Sequence, residues 1–190
     1  MPHNLSGQKG GNNLRYFSFF IAAGLLLLVP PIARAAETVH LYLVGAQGQA
    51  IKGESIQTSL GRQDSIECVQ VDMNVMNDTA LRADTIRVIK RIDKSSATLL
   101  RSLVSREVMK SAVFKFFRPN PTGDGTTQQF YTVTLNNARI VGIKQFVPNC
   151  IEPASSNYPP QEIVTIGFSA IRWTYLDGTS AEMGSGTPTK

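Results

Sequence analysis

The stretch IVTIGFSAIRWTY at residues 163–175 decides the fold class, because it combines β-branched and aromatic residues over the length of a long strand. Its apolar side chains occupy even positions up to Phe168 and odd positions from Ile171 onward. This change of phase predicts either a bulge near Ser169 or burial on both faces of the strand.

Seven further segments outside this stretch have a strand-like composition and are bounded by turn residues. Segments 112–118 and 129–135 are expected to form a hairpin, because a turn rich in Pro and Gly separates them. The predicted strands before residue 163 are 38–44, 51–57, 66–76, 85–92, 112–118, 129–135 and 138–146.

One segment has helical periodicity instead. Ser96 is a suitable N-cap for a helix of about ten residues. The residues that form its apolar stripe, and that we expect to face the core, are Leu99, Leu100, Leu103 and Val104.

The sequence therefore predicts a mainly β fold, a β-barrel of about eight strands with one flanking α-helix. The amino-acid composition does not change along the chain after residue 35, and the sequence has no internal repeat. We therefore expect one domain over residues 36–178. Residues 179–190 are rich in Gly, Ser and Thr and are predicted to be a flexible tail. A chain of many short strands avoids free sheet edges by closing into a barrel or by pairing with neighbouring chains.

Residues 1–35 have the pattern of a secretory signal peptide. Phe17 to Val29 form an apolar run that is short for a membrane span, and Ala33 and Ala35 place small residues at the −3 and −1 positions of a cleavage site. We expect cleavage here, with an uncleaved N-terminal anchor as the alternative. The mature protein would then be secreted to the periplasm or outside the cell, without a stable membrane span.

The basic character of the chain is concentrated in this segment. The net charge of +5 falls to +2 once Lys9, Arg15 and Arg34 are removed. A nucleic-acid partner is therefore not predicted.

Export places both cysteines in an oxidising compartment. Cys68 and Cys150 could form one disulfide, and the alternative is two small buried side chains that never meet.

No pattern of catalytic, metal-binding or cofactor-binding residues is found. His40 is the single histidine after residue 35, and neither a nucleophile elbow nor a set of zinc ligands accompanies it. We interpret it as a strand residue that faces solvent or an oligomer contact. The prediction is a non-enzymatic protein without a cofactor.

Four ordered segments resemble the haemolysin-coregulated protein (Hcp) family, the tube protein of type VI secretion systems. They include a Gly-Glu-Ser strand, an Asp-Lys-Ser entry into the single helix, a central hairpin and a last long strand. The matching segments are Ile51 to Ser55, Ile92 to Ser96, Phe130 to Ile140 and Glu162 to Tyr175. The signal-like segment and a short connection from Met76 to Asp84 depart from the family pattern.

The resemblance implies a β-barrel that assembles into rings, most simply hexamers, through contacts between strand edges. Such rings would stack into the tube, carry effector proteins and meet sheath and spike proteins. Trp173 is interpreted either as an interface anchor or as part of the core. The candidate oligomer contacts are Val39, Leu41, Val113, Phe114, Phe116, Ile171 and Trp173.

A binding module is the alternative. An exported monomeric barrel would present its loops to a ligand or to a cell surface, and it would have no role in a secretion machine. The loops concerned are 58–63, 119–125 and 148–160.

Overall fold

A computed structural model describes residues 36–77, 81–83, 85–147, 149, 151–152 and 158–184. The described residues form twelve strands and one α-helix, with a short 3-10 turn at Ser59–Gly61. The strands up to the helix are β1 (Thr38–Val44), β2 (Ala50–Ile51), β3 (Ile66–Asp72), β4 (Val75–Asn77), β5 (Leu81–Ala83) and β6 (Ile86–Arg91). The helix α1 (Ser95–Ser105) is followed by β7 (Ser111–Pro119), β8 (Thr127–Asn136), β9 (Arg139–Phe146), β10 (Gln161–Gly167), β11 (Ala170–Tyr175) and β12 (Ser180–Gly184).

Ten of these strands form one antiparallel sheet. Its hydrogen-bonded order is β12-β11-β8-β7-β1-β3-β6-β10-β9, with β2 paired to β1, while β4 and β5 form a separate hairpin. The hydrogen-bonded path is open and ends at β12 and β9. The mainly β class with one helix is confirmed, and so is the predicted hairpin of β7 and β8.

The sheet turns a corner where β8 continues into β9 and β10 continues into β11. Asn136 pairs with Ala170 on one side of this corner, and Arg139 pairs with Gly167 on the other. The change of phase in the predicted strand 163–175 marks the corner, because β10 ends just before Phe168. The two antiparallel segments therefore bend together, and both halves of the sheet contribute to one core.

The core is filled by aliphatic and aromatic side chains from nearly every strand of the main sheet. Leu41, Phe114 and Val133 contribute from one half, and Val88 and Ile166 from the other. All five are at most 1% exposed. This continuous apolar interior holds the strands in place, since burial of apolar area is the main driving force of folding.

A bulge in β3 explains why buried and exposed side chains do not alternate regularly along this strand. Ile66 and Cys68 point into the core, and Val69 is 55% exposed. The pairing of β3 with β6 shifts by one residue between Cys68 and Gln70. As a result Val71 returns to the core side, although it has the same parity as Val69.

Helix α1 begins at Ser95, slightly before the predicted start. The backbone N–H of Ser95 donates to the Asp93 carboxylate at 2.9 Å, so Asp93 supplies the cap expected from Ser96. The buried stripe is narrower than predicted. Leu99 is fully buried, whereas Leu100 is 38% and Val104 83% exposed.

Two predicted boundaries are wrong. Residues 52–57 do not continue β2, because the backbone N–H groups of Gly53 and Ser55 bond to residues 64 and 65 instead of to a neighbouring strand. Residues 180–184 do not belong to a tail, since they form β12 and pair with β11. In the described part of the chain, no helix is long and apolar enough to cross a membrane.

Candidate functional site

The structure rules out three of the predicted contact residues. Leu41, Phe114 and Ile171 are buried in the core of the single chain, each at most 1% exposed. Their side chains are therefore not available to a neighbouring molecule. The remaining four are half-buried: Val39, Val113, Phe116 and Trp173.

The strands that carry the predicted contact residues have no free edges either. β1 is paired with β3 and β7, and β7 is paired with β1 and β8, so neither strand has a free edge. β11 likewise pairs on both sides, with β8 and β12. At the other end of the sheet, helix α1 packs against β9.

β12 is the edge strand that sequence reasoning missed. Four of its five residues are exposed, and Met183 alone is buried. An exposed edge strand presents unpaired N–H and C=O groups, which makes it a template for pairing with another chain. The short, mostly small or polar sequence of β12 is not typical of a strand. The one residue that indicates burial is the apolar Met183.

Loop 52–65 covers the outer face of β1, and His40 anchors it there. The ring Nδ1 of His40 lies 2.8 Å from Ser65 Oγ, and Ser65 Oγ donates to the carbonyl of Arg62 at 2.6 Å. His40 also packs edge-to-face against Phe117 at 5.4 Å. It is completely buried, so the expectation of a solvent-facing or contact residue is wrong.

Arg62 is buried beside this histidine without a carboxylate partner among the described residues. Its guanidinium lies 4.9 Å from the centre of the Phe117 ring and donates to the carbonyl of Ser59. Burial, and secondarily the charge of Arg62, lowers the pKa of His40 to about 4. The histidine is therefore neutral at physiological pH.

Gly53 is required where this loop crosses the start of β3. A Cβ at this position would collide with the backbone of Ser65 and would lie 2.7 Å from the Cα of Ile66. We expect Gly53→Ala to lower the free energy of unfolding by about 1–3 kcal/mol, because backbone cannot move aside as a side chain can. Urea denaturation measures the change. Gly184→Ala is the control for the loss of a glycine, since no atom lies within 4 Å of a Cβ there and its φ is not in the left-handed region.

A buried ionic network joins helix α1 to the sheet. Lys90 Nζ lies 2.8 Å from Glu162 Oε1 and 2.8 Å from Asp93 Oδ1. Ser96 Oγ donates to the same Glu162 oxygen at 2.8 Å, and Gln145 donates to the other at 2.9 Å. Lys90 and Glu162 are at most 1% exposed, so every charge in the network depends on its partners.

The predicted disulfide is not tested. Cys68 is buried, and burial raises the pKa of its thiol to about 12. Cys150 lies outside the described residues, as do the predicted cleavage-site residues Ala33 and Ala35. Both hypotheses stay predictions.

The described residues contain no group of three or more His, Cys, Asp or Glu side chains that could hold a metal ion. In the ionic network, both oxygens of the Glu162 carboxylate already accept a hydrogen bond. The arrangement suits a structural role for these groups.

The comparison with protein families decides the assignment. Residues 42–175, most of the chain, match the family model described as "Type VI secretion system effector, Hcp". The chain belongs to the Hcp family. The matched segment runs from within β1 to the end of β11, so it includes the main sheet except the first four residues of β1 and all of β12.

Known Hcp proteins share the fold. The chain is similar to the Hcp1 protein of E. coli EAEC 042, with 22% identity, a TM-score of 0.67 and coverage of 79% of this chain and 100% of that one. It is also similar to the secreted protein Hcp3 of Pseudomonas aeruginosa, with 21% identity, a TM-score of 0.65 and coverage of 80% and 100%.

A curated relative of this Hcp chain is the "Major exported protein" of Pseudomonas aeruginosa, which is 33% identical over 94 residues. The match covers 49% of this chain, and the chain spans about half the length of the relative, 54%. The recognition of the family from its ordered segments is thereby confirmed.

Proposed function

We propose that the protein is a structural subunit of a type VI secretion tube, which assembles into ring-shaped homo-oligomers, most simply hexamers. The observation that carries this proposal is the Hcp family match over residues 42–175 together with the fold of solved Hcp proteins. Effector, sheath and spike proteins would be its partners, and the protein would act without catalysis.

Among the described residues the outer edge of β12 is free, and this edge supports the proposal. A ring of identical chains needs two different surfaces on each chain, so that one molecule meets the next head to tail. β12 offers one such surface, because four of its five residues are exposed. We propose β12 in place of β1 and β7 as the strand that contacts a neighbour.

Export is part of the same proposal. A relative is called the major exported protein, which fits a protein that leaves the cell. The predicted signal peptide at residues 1–35 would bring the chain out by the general pathway, and cleavage after Ala35 would release residues 36–190. N-terminal sequencing of exported material tests this step, and a read starting at Met1 contradicts it.

The oligomeric state separates the tube subunit from the monomeric binding module. We expect native mass spectrometry and light scattering of the purified protein to give a mass of six subunits, and negative-stain images to show rings. A strictly monomeric protein at high micromolar concentration would contradict the proposal and favour the binding module.

A further inference from the structure

The backbone of loop 52–65 is strained at two positions. Leu60 and Asp64 both lie in the left-handed region, with φ of 57° and 59°. Residues other than glycine rarely adopt this conformation, and it persists only where surrounding contacts hold it. Ile56 is 91% and Leu60 48% exposed, so the middle of the loop buries little apolar surface. Segment 56–63 is therefore held in place by specific contacts rather than by a core of its own.

Side chains of β1 and β7 hold this segment on the sheet. The hydroxyl of Tyr42 donates to the carbonyl of Gly61 at 3.1 Å. The guanidinium of Arg62 lies 4.9 Å from the centre of the Phe117 ring. Arg62 is 6% exposed and Phe117 is fully buried, so the loop and the sheet cover each other at this point. Phe117 becomes accessible only when Arg62 moves away from it.

The hydrogen bonds of Ser65 determine which nitrogen of His40 can accept a proton. A hydroxyl has one hydrogen, and Ser65 donates it to the carbonyl of Arg62 at 2.6 Å. The Nδ1 of His40, 2.8 Å from Ser65 Oγ, therefore carries a hydrogen and donates it. Nε2 is then the basic nitrogen, and it is buried without a hydrogen-bond partner among the described residues. A proton that binds to Nε2 in the closed loop finds no acceptor.

The charged groups around His40 do not compensate a proton at this site. Burial, and secondarily the charge of Arg62, lowers the pKa of His40. On the neighbouring strands, the register places Lys115 of β7 and Glu67 of β3 directly opposite His40. Lys115 is a second cation, and its Nζ lies 4.8 Å from the centre of the Tyr42 ring. Glu67 is exposed, and water screens its charge.

The two ends of the loop are secured independently of His40. The Asp64 carboxylate pairs with Lys52 at 3.2 Å and with Lys94 at 3.1 Å. These partners hold the pKa of Asp64 below its usual range, so both pairs persist while the histidine titrates. Backbone hydrogen bonds between residues 53–55 and 64–65 join the same ends. The part of the loop that can open is the segment between them.

We propose that loop 52–65 is an acid-released latch, in which a proton on Nε2 of His40 beside the buried Arg62 opens segment 56–63 while the sheet remains folded. Opening lets water reach both cations, and this favours the charged form of the histidine. Opening also uncovers Phe117, which gives the molecule a new apolar surface in acidic surroundings. The latch adds a response to pH that the proposed tube function does not require.

The direction of the response follows from proton binding. In the open loop His40 has its ordinary pKa of 6.5, whereas in the closed loop its pKa is about 4. The open loop therefore binds the proton more tightly, and the closed loop loses its advantage as the pH falls below 6.5. Between pH 7.5 and pH 5 the open fraction is expected to rise about 30-fold.

Hydroxyl-radical footprinting of the full-length protein tests the latch, with the oxidation of Phe117 read by mass spectrometry and normalised to the unfolded chain at each pH. Oxidation of Phe117 should rise about 30-fold between pH 7.5 and pH 5, in proportion to the open fraction. Phe114 is the internal control, because it is equally buried but lies in the core of the sheet. Its oxidation should stay at background at both pH values.

Three variants identify the groups responsible. His40→Gln cannot gain a charge, so the rise in Phe117 oxidation should disappear. Arg62→Met removes the neighbouring cation and keeps an apolar side chain, so the rise should become smaller. Lys115→Met is the matched control for the loss of a cation and should leave the rise unchanged. Oxidation at pH 5 is compared with oxidation at pH 7.5 within each variant, so a loop that is looser at both pH values still gives a result.

The outcomes decide the inference in either direction. Phe117 oxidation that is equal at both pH values in the wild type, or that rises as much in H40Q, overturns the latch. A joint rise at Phe114 and Phe117 shows unfolding of the sheet and overturns it as well. The readout does not depend on ring formation, so a failure of the latch leaves the proposed tube function intact, and the converse also holds.

Discussion

Replacing Lys90 by methionine is expected to lower the free energy of unfolding by about 3–5 kcal/mol. The substitution keeps the volume of the side chain and removes its charge, which leaves the Glu162 carboxylate buried without its cation. An unpaired charge in the interior is far less favourable than the pair. Urea denaturation followed by circular dichroism measures the change.

Two further variants identify the cause of the expected loss. Lys52→Met removes an exposed partner of Asp64 and should change stability by less than about 1 kcal/mol. The double variant K90M/E162M should recover most of the stability, because the fully buried carboxylate of Glu162 is then removed together with its cation. If K90M is no less stable than K52M, Lys90 does not stabilise the helix and sheet as inferred.

Acidification from pH 7.5 to pH 5 is expected to lower the free energy of unfolding by about 2 kcal/mol through His40. In the unfolded chain this histidine binds a proton near its ordinary pKa of 6.5, whereas in the folded protein its pKa is about 4. The unfolded state therefore gains protons first as the pH falls. The stabilisation present above pH 6.5 is lost progressively toward pH 4.

His40→Gln isolates this contribution. Glutamine stays neutral throughout, so the slope of stability against pH in this window should be smaller than in the wild type. The measurement stops at pH 5, because the carboxyls with lowered pKa, such as Asp64, lose their stabilisation at lower pH. Equal slopes for the two proteins would show that His40 is not the titrating group.

The strand content was predictable from the sequence, because β-branched and aromatic residues cluster between turn residues along most of the chain. The hairpin of β7 and β8 followed from its Pro- and Gly-rich turn. The order of the remaining strands was not predicted, since pairings such as β3 with β6 depend on contacts that no local pattern encodes.

The contact residues were harder to predict, because an apolar strand residue has the same appearance in a core and at an interface. For this reason Phe114 and Ile171 were predicted to be contact residues, although both are buried in the core. His40 is buried by a loop whose closest contact, Ser65, lies 25 positions away in the chain. β12 was missed because its short polar sequence resembles a tail until the pairing with β11 is known.

The pairing of strands that are remote in sequence has a consequence for how the chain folds. Ile89 pairs with Ile163, and Val39 pairs with both Cys68 and Phe116, so much of the sheet joins residues that are remote in sequence. Chains with such high contact order reach the native state in milliseconds to seconds rather than microseconds. A freshly synthesised copy thus remains unfolded for longer than a helical protein of equal size, a condition that the proposed export by the general pathway would need.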